Sequence, residues 1–270
     1  MSDVGGEVRL GSMLFTLVEP HRGHEVAYDR WYERDHFYAG CMVGPWLFAG
    51  RRFVATRALK DLRFGTDAEL FGGAALGSYV AIYWILDGRH DDHVAWALRQ
   101  VQWLHANGRM FAERDHIHTL LYRHAFTVTA AGDAAAGDAV AGDAAAGDAV
   151  PAELALDHPF GGVTASLVRP AAGVSVEQVR SFQQSLVPEL DIGFSPIPLP
   201  PDAPVSQQGH DQLDGCVLTL SFTATDPAET WAARRGAAER LQADGVGEVL
   251  WAAPFIPTIP GTDAYTDQLW

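Results

Sequence analysis

An identical repeat divides this chain into two halves. The decamer Ala-Gly-Asp-Ala-Ala-Ala-Gly-Asp-Ala-Val fills residues 131–140 and returns unchanged at 141–150. Glycine and aspartate at this density do not sustain a helix, and the segment has almost nothing to bury. We therefore predict a flexible linker over 130–156. A calcium-binding repeat is not predicted, because the period differs from nine residues and the ligand pattern is incomplete.

The half before the linker, residues 1–129, alternates strand-like and helix-like segments. Runs rich in β-branched and aromatic residues predict four strands, and apolar residues at helical spacing predict two helices between them. The order is strand 12–18, helix 20–38, strand 46–56, strand 78–86, helix 91–111 and strand 117–129. This βαββαβ order is that of a ferredoxin-like module.

The half after the linker, residues 157–254, repeats that order. Its predicted elements are strand 162–168, helix 175–187, a weak strand 192–199, strand 215–223, helix 228–243 and strand 247–254. We therefore predict an α+β fold with two ferredoxin-like modules fused in one chain. The tail, 255–270, is apolar and held extended by prolines, so we expect it to pack across the body of the protein or onto another protomer.

The first helix carries an unusual mixture of side chains. Tyr28, Tyr32 and His36 recur every four positions, which places them on one face of an α-helix, and Trp31 and Asp35 share a neighbouring face. Phenols, an indole, a carboxylate and an imidazole need polar partners when they are buried. This mixture is typical of the lining of a pocket.

The stretch Trp31-Tyr32-Glu33-Arg34-Asp35-His36, with Pro45 and Arg51-Arg52-Phe53 after it, resembles the first helix and second strand of the dimeric α/β-barrel superfamily. Within it the sequence is most similar to EthD-like proteins. The resemblance implies antiparallel sheets packed face to face as an α/β barrel, with a pocket between sheet and helices. Members include cyclases, lactone isomerases and cofactorless monooxygenases. The acidic residue before the histidine is usually Glu in the family and is Asp here.

The candidate catalytic residues are His36, Asp35 and Tyr83. An imidazole titrates near neutral pH and can act as the general acid/base, with Asp35 to orient it and Tyr83 to donate to a developing oxyanion. Two alternatives stay open: His36 caps the end of its helix, and Asp35 faces solvent or an arginine. The second half has no counterpart of Trp31, Asp35 or His36, so we expect the chemistry in the first half.

Aromatic and imidazole side chains make up the candidate substrate-binding residues, which are Tyr28, Trp31, Tyr32, Trp103, His116 and His118. His116 and His118 alternate on a strand, so their side chains are predicted to point to the same face. With His36 or His93 they could form a three-histidine metal site, or they could supply a second acid/base group or lie at the pocket rim.

These residues favour a cofactor-independent dehydratase, cyclase or isomerase that acts on a hydrophobic, aromatic or polycyclic metabolite. No phosphate-binding loop or dinucleotide fingerprint is present, so no cofactor is expected. No metal is expected either, because the two imidazoles lack an identifiable third ligand. One alternative is a haem- or metal-dependent oxidoreductase of the same fold, because chlorite dismutase-like and dye-decolourising peroxidase-like members also join two such modules. Another is a non-catalytic small-molecule binding protein.

The overall charge limits the range of partners. A net charge of −15 with Lys60 as the only lysine argues against nucleic acid. Cys41 and Cys216 are far apart, which indicates neither a disulfide framework nor a thiolate zinc site. No apolar run is long enough for a signal peptide or a membrane span, so we expect a cytoplasmic protein without a membrane partner. A homodimer is the expected assembly.

Overall fold

The computed structural model describes residues 7–130, 149–186, 188–198 and 210–270. The predicted linker repeats fall almost entirely outside these ranges. The first half contains β1 (Leu10–Pro20), α1 (Glu25–Trp31), a π-helix (Tyr32–Met42), β2 (Leu47–Val54), α2 (Arg57–Lys60), β3 (Tyr79–Leu86), α3 (His90–Ala106) and β4 (Arg114–Thr129).

The second half repeats this order, as the sequence predicts. It contains β5 (Gly162–Pro170), α4 (Val176–Ser185), β6 (Leu190–Ile197), β7 (Val217–Thr223), α5 (Trp231–Ala243) and β8 (Gly247–Pro257). Ser175 starts α4 with a capping box that it shares with Gln178. None of the helices in the described ranges is long and apolar enough to cross a membrane.

The eight strands form one closed antiparallel barrel in the order β1-β3-β2-β8-β5-β7-β6-β4. Each module supplies four adjacent strands, so the predicted class of two fused ferredoxin-like modules is confirmed. The modules join at two seams. At one, β4 pairs with β6 along eight residue pairs from Leu121↔Ile197 to Thr129↔Leu190, and at the other β2 pairs with β8 only at Phe53↔Pro257 and Val54↔Ile256.

Large apolar side chains fill the barrel interior. Trp84 and Phe194 meet there from opposite modules, with ring centroids 5.6 Å apart, and Trp84 Nε1 donates to the carbonyl of Ala152 at 3.1 Å. An eight-stranded barrel is just wide enough for side chains to fill it. The interior is therefore mostly core, and the candidate site has to lie on the outer face of the first module's sheet, under α1 and the π-helix.

The tail after β8 packs along α1. Arg30 forms a two-pronged ion pair with Asp263 at 2.7 and 2.5 Å, and Trp270 Nε1 donates to Glu25 at 2.6 Å. Leu269 is fully buried beneath these contacts. The last segment of the second half thus fastens the helix that carries the candidate site to the rest of the barrel.

Candidate active site

The helix that follows β1 changes its hydrogen-bond pattern at Tyr32. α1 ends at Trp31 and the chain continues as a π-helix, which closes with the Val43 N–H donating to the Tyr38 carbonyl at 3.0 Å. In a π-helix the hydrogen bonds span five residues, and such helices are frequent at functional sites. The α-helical spacing predicted through His36 is therefore wrong beyond Trp31. The physical reason is the wider turn, which brings residues five apart onto the same face.

This wider turn stacks His36 on Trp31. Their ring centroids are 4.5 Å apart with 19° between the planes, and the Tyr32 ring meets the imidazole edge-on at 5.2 Å. Gly40 closes the remaining side, because a Cβ there would lie 2.8 Å from His36 Cε1. The imidazole is thus held between an indole, a phenol and a bare backbone.

The electrostatic surroundings keep His36 neutral. Burial lowers the pKa of His36 to about 3, and the charge of Arg114 acts in the same direction. The Nδ1 atom is buried and has no hydrogen-bond partner within the described part of the chain. At neutral pH this side chain is therefore an uncharged base with one unused polar atom.

Two of the predicted tyrosines lie behind His36. The hydroxyls of Tyr32 and Tyr83 are 3.0 Å apart, both side chains are buried, and burial raises the pKa of both well above the usual value for tyrosine. Tyr28 packs against the Tyr32 ring at 5.8 Å and is also buried. Tyr83 has no exposed surface, so a substrate cannot reach its hydroxyl unless the helix moves.

A buried cation fixes this cluster to the sheet. Arg52 on β2 lies 2.9 Å from Asp29 and 3.3 Å from Glu33, and its guanidinium carbon is 4.5 Å from the centroid of the Tyr32 ring. Breaking a buried pair of this kind leaves an uncompensated charge. Arg52 therefore anchors the site helix and does not face substrate.

An open cleft of about 570 Å³ borders the site between the π-helix and α3. Asp35 lies in it and forms a two-pronged ion pair with Arg109, whose Nε is 3.3 Å from Oδ2. Trp103 is 49% exposed there, with Arg109 5.6 Å from its ring centroid. The carboxylate of Asp35 thus pairs with an arginine, which is one of the two alternatives that the sequence leaves open. The complete lining is Arg34, Asp35, Tyr38, Ala39, Val43, Gln100, Trp103 and Arg109.

The predicted pairing of His116 with His118 on one face is wrong. A β-bulge in β4 places His116 opposite Val18 and His118 opposite Leu17, so the extra residue turns the two imidazoles to opposite faces. His118 points into the barrel, where its Nε2 is 2.7 Å from the Tyr122 hydroxyl. His116 is exposed on the outer face. These two side chains cannot bind the same metal ion.

Comparisons with known proteins identify the architecture. No family model matches the chain, and no curated protein sequence matches it. An anthrone oxidase-like protein of known structure superposes with a TM-score of 0.51 at 10% identity, over 94% of this chain and 95% of that chain. The chain has the dimeric α/β-barrel fold. A dye-decolorizing peroxidase from Bacteroides thetaiotaomicron superposes with a TM-score of 0.50 at 9% identity, over 95% of each chain.

At these identities the comparisons show the dimeric α/β-barrel fold alone, so the closer resemblance to EthD-like proteins stays a prediction. The haem alternative can be tested against the residues present. The cleft has no His, Cys or Met in its wall, and the second half of the sequence contains only two histidines, His158 and His210. Haem usually takes an axial ligand from these residue types and less often from Tyr, so the one candidate in this wall is the exposed Tyr38. The cleft therefore lacks the usual ligands of a haem site.

Metal ligands are equally sparse in this dimeric α/β barrel. Among the described residues no group of three His, Cys, Asp or Glu side chains could hold a metal ion. Independence from cofactors stays a prediction.

Sequence reasoning missed the cations of the site. Arg109 and Arg114 follow α3 in an irregular segment and at the start of β4, where no periodicity singles them out. Arg114 lies 4.8 Å from the centroid of the Trp31 ring, and the Arg109 carbonyl accepts from Trp31 Nε1 at 3.0 Å. Arg114 thus places a positive charge beside Trp31 and His36, which suits an anionic or acidic ligand, whereas the charge of Arg109 is balanced by Asp35.

Proposed function

We propose that the protein is an enzyme that moves a proton on a hydrophobic, aromatic or polycyclic metabolite, with His36 as the general base. The observation that carries this proposal is the neutral imidazole of His36, held by Trp31 and Gly40 and next in the chain to Asp35, which lines an open cleft. Dehydration, cyclisation and isomerisation all begin with such a transfer, so the site fits each of these reaction types.

The low pKa of His36 makes it a weak base while the site is empty. A bound substrate changes this balance, because removing its proton leaves an enolate or phenolate next to the new imidazolium. The positive charge of Arg114 favours the anion. Proton transfer is therefore coupled to substrate binding. Arg114 takes the part that the sequence predicts for Tyr83, and Asp35 pairs with Arg109 rather than orienting His36.

Cofactorless oxygenation is a second candidate. The anthrone oxidase-like structure shares the fold, and an anthrone anion formed by proton removal is electron-rich enough to react with dioxygen itself. This candidate uses the same first step at His36 and differs only in what the anion meets next. It rests on analogy of fold.

Hydrogen–deuterium exchange tests the first step without knowledge of the final product. Anthrone and related ketones with an acidic C–H are incubated with enzyme in D2O under nitrogen, and exchange is followed by NMR. We expect His36→Asn to lose about 100-fold or more of the catalysed exchange, the usual contribution of a general base. The exposed His105 on α3 provides the control, and His105→Asn should exchange at the wild-type rate.

Three outcomes separate the alternatives. Equal exchange by the wild type and His36→Asn contradicts the proposed base. Binding of the ketones without exchange in either protein favours the small-molecule binding protein. A Soret band, or one metal ion per chain in elemental analysis of the purified wild type, favours the haem- or metal-dependent oxidoreductase. Repeating the reaction in air shows whether dioxygen is consumed.

A further inference from the structure

One end of the barrel is closed by residues 64–77, here called the plug loop. Phe71 at its centre points into the barrel, with ring centroids 4.3 Å from His118 and 5.0 Å from Trp251. His118 is on β4 and Trp251 on β8, which lie on opposite sides of the closed barrel. The Phe71 ring therefore spans the barrel mouth and fills the space between an imidazole and an indole.

The backbone of the plug loop does not favour this position. Phe71 has φ 55° and ψ 32°, a left-handed conformation that is an outlier for a bulky residue. Gly72 and Gly73 beside it also have positive φ. Side-chain packing therefore holds Phe71 in place against its backbone preference.

Two donors at Trp251, the indole that Phe71 packs against, lack acceptors. Trp251 Nε1 and Arg63 Nε are buried without a hydrogen-bond partner in the described ranges. The guanidinium carbon of Arg63 lies 5.9 Å from the centroid of the Trp251 ring. The other Arg63 nitrogens donate to the plug-loop carbonyls of Leu76 and Gly77. Buried donors are nearly always paired in folded proteins, so this pair indicates an absent acceptor.

The buried charges next to the plug loop also indicate that an acidic group is absent. Lys60 Nζ lies 3.7 Å from Glu19 Oε1, which balances one cation with one carboxylate. Arg63 is the second buried cation of this group, and its hydrogen bonds within the described residues go to neutral carbonyls. Burial lowers the pKa of Arg63 to about 10, so it is still charged at neutral pH. Among these three buried side chains, the positive charges therefore outnumber the negative charges by one.

We propose that the barrel mouth is a second ligand site, separate from the His36 cleft, for a small aromatic carboxylate. The ring of the ligand takes the place of the Phe71 ring between His118 and Trp251. Its carboxylate accepts hydrogen bonds from Arg63 Nε and Trp251 Nε1. Phe71 occupies the site in the absence of ligand and leaves when the ligand binds.

Binding of 4-fluorobenzoate, followed by 19F NMR and calorimetry, tests this proposal. We expect Phe71→Ala to bind it about tenfold or more tightly than the wild type, because the wild type must first expel its own ring. Adding Trp251→Phe to that variant should weaken binding about tenfold, since it removes one donor to a charged acceptor. Leu70→Ala in the same turn is the matched control and should bind like the wild type.

Uncharged probes distinguish recognition of the carboxylate from simple filling of an apolar cavity. Toluene should bind Phe71→Ala without any response to Trp251→Phe, and 4-fluorobenzamide should bind more weakly than the acid. A folded Phe71→Ala variant that does not bind 4-fluorobenzoate overturns the proposal. An affinity for 4-fluorobenzoate that Trp251→Phe leaves unchanged overturns it as well. If Phe71→Ala does not fold, the test is the chemical shift of the Trp251 indole N–H in the wild type as benzoate is added. The resonance is assigned by its loss in Trp251→Phe, and no shift at saturating benzoate refutes the site.

Discussion

The depressed pKa of His36 predicts a specific effect of pH on stability. In the unfolded chain this imidazole titrates at its ordinary pKa of 6.5, and in the folded protein burial lowers the pKa to about 3. Below pH 6.5 the unfolded state therefore binds a proton that the folded state does not accept. Stability that is fully present above pH 6.5 is lost as the pH falls toward 3.

The magnitude follows from the two pKa values. Between pH 8 and pH 5, His36 alone should lower the free energy of unfolding by about 2 kcal/mol. This figure hardly changes if the folded-state pKa is one unit higher, because the imidazole is still neutral at pH 5. His36→Phe keeps an aromatic ring on Trp31 and removes the titrating group, so the variant should lack this contribution.

Urea denaturation of both proteins at pH 8 and pH 5 measures the difference. The difference between the wild type and His36→Phe cancels the contributions of the other histidines. Between pH 8 and pH 5 the free energy of unfolding should fall by about 2 kcal/mol more for the wild type than for the variant. His21→Gln is a control with the opposite sign, since hydrogen bonds to Asp115 and Glu113 raise the pKa of His21. Parallel pH dependence of wild type and His36→Phe would refute the electrostatic account of the site.

Two further predictions concern the support of the site. Gly40→Ala places a Cβ 2.8 Å from the imidazole and should slow proton exchange about tenfold or more while the protein stays folded. Gly236→Ala, where nothing lies within 4 Å, is the control and should leave the exchange rate unchanged. Equal exchange rates for the wild type and both variants would contradict the proposed role of Gly40. Asp29→Ala should lower the free energy of unfolding by about 3 kcal/mol because it strips a buried partner from Arg52. Asp61→Ala, which breaks an exposed pair, should cost about 0.5 kcal/mol or less in the same urea titration. Similar losses of unfolding free energy for the two aspartate variants would show that the buried Asp29–Arg52 pair stabilises the protein no more than an exposed pair.

Local patterns explain why so much of the fold was predictable. Short continuous apolar runs such as Tyr79–Leu86 predict strands that are buried on both faces, and the repeated strand and helix order leaves few topologies for each half. The apolar residues at helical spacing between 91 and 111 predict α3 in the same way. The sequence predicts Tyr32 and His36 on one helical face, and their ring centroids are 5.2 Å apart, because residues four apart on one helix lie close together however the rest of the chain folds.

The sequence by itself thus determined the two modules, their strands and the helix that carries the candidate site. Only the tertiary structure decided the π-helical turn that stacks His36 on Trp31, the bulge that separates His116 from His118, and the position of Phe71 in the barrel mouth. Each of these depends on contacts between residues far apart in the chain. A local pattern records which face of an element is buried, but it does not record the one extra residue or widened turn that packing against another element imposes.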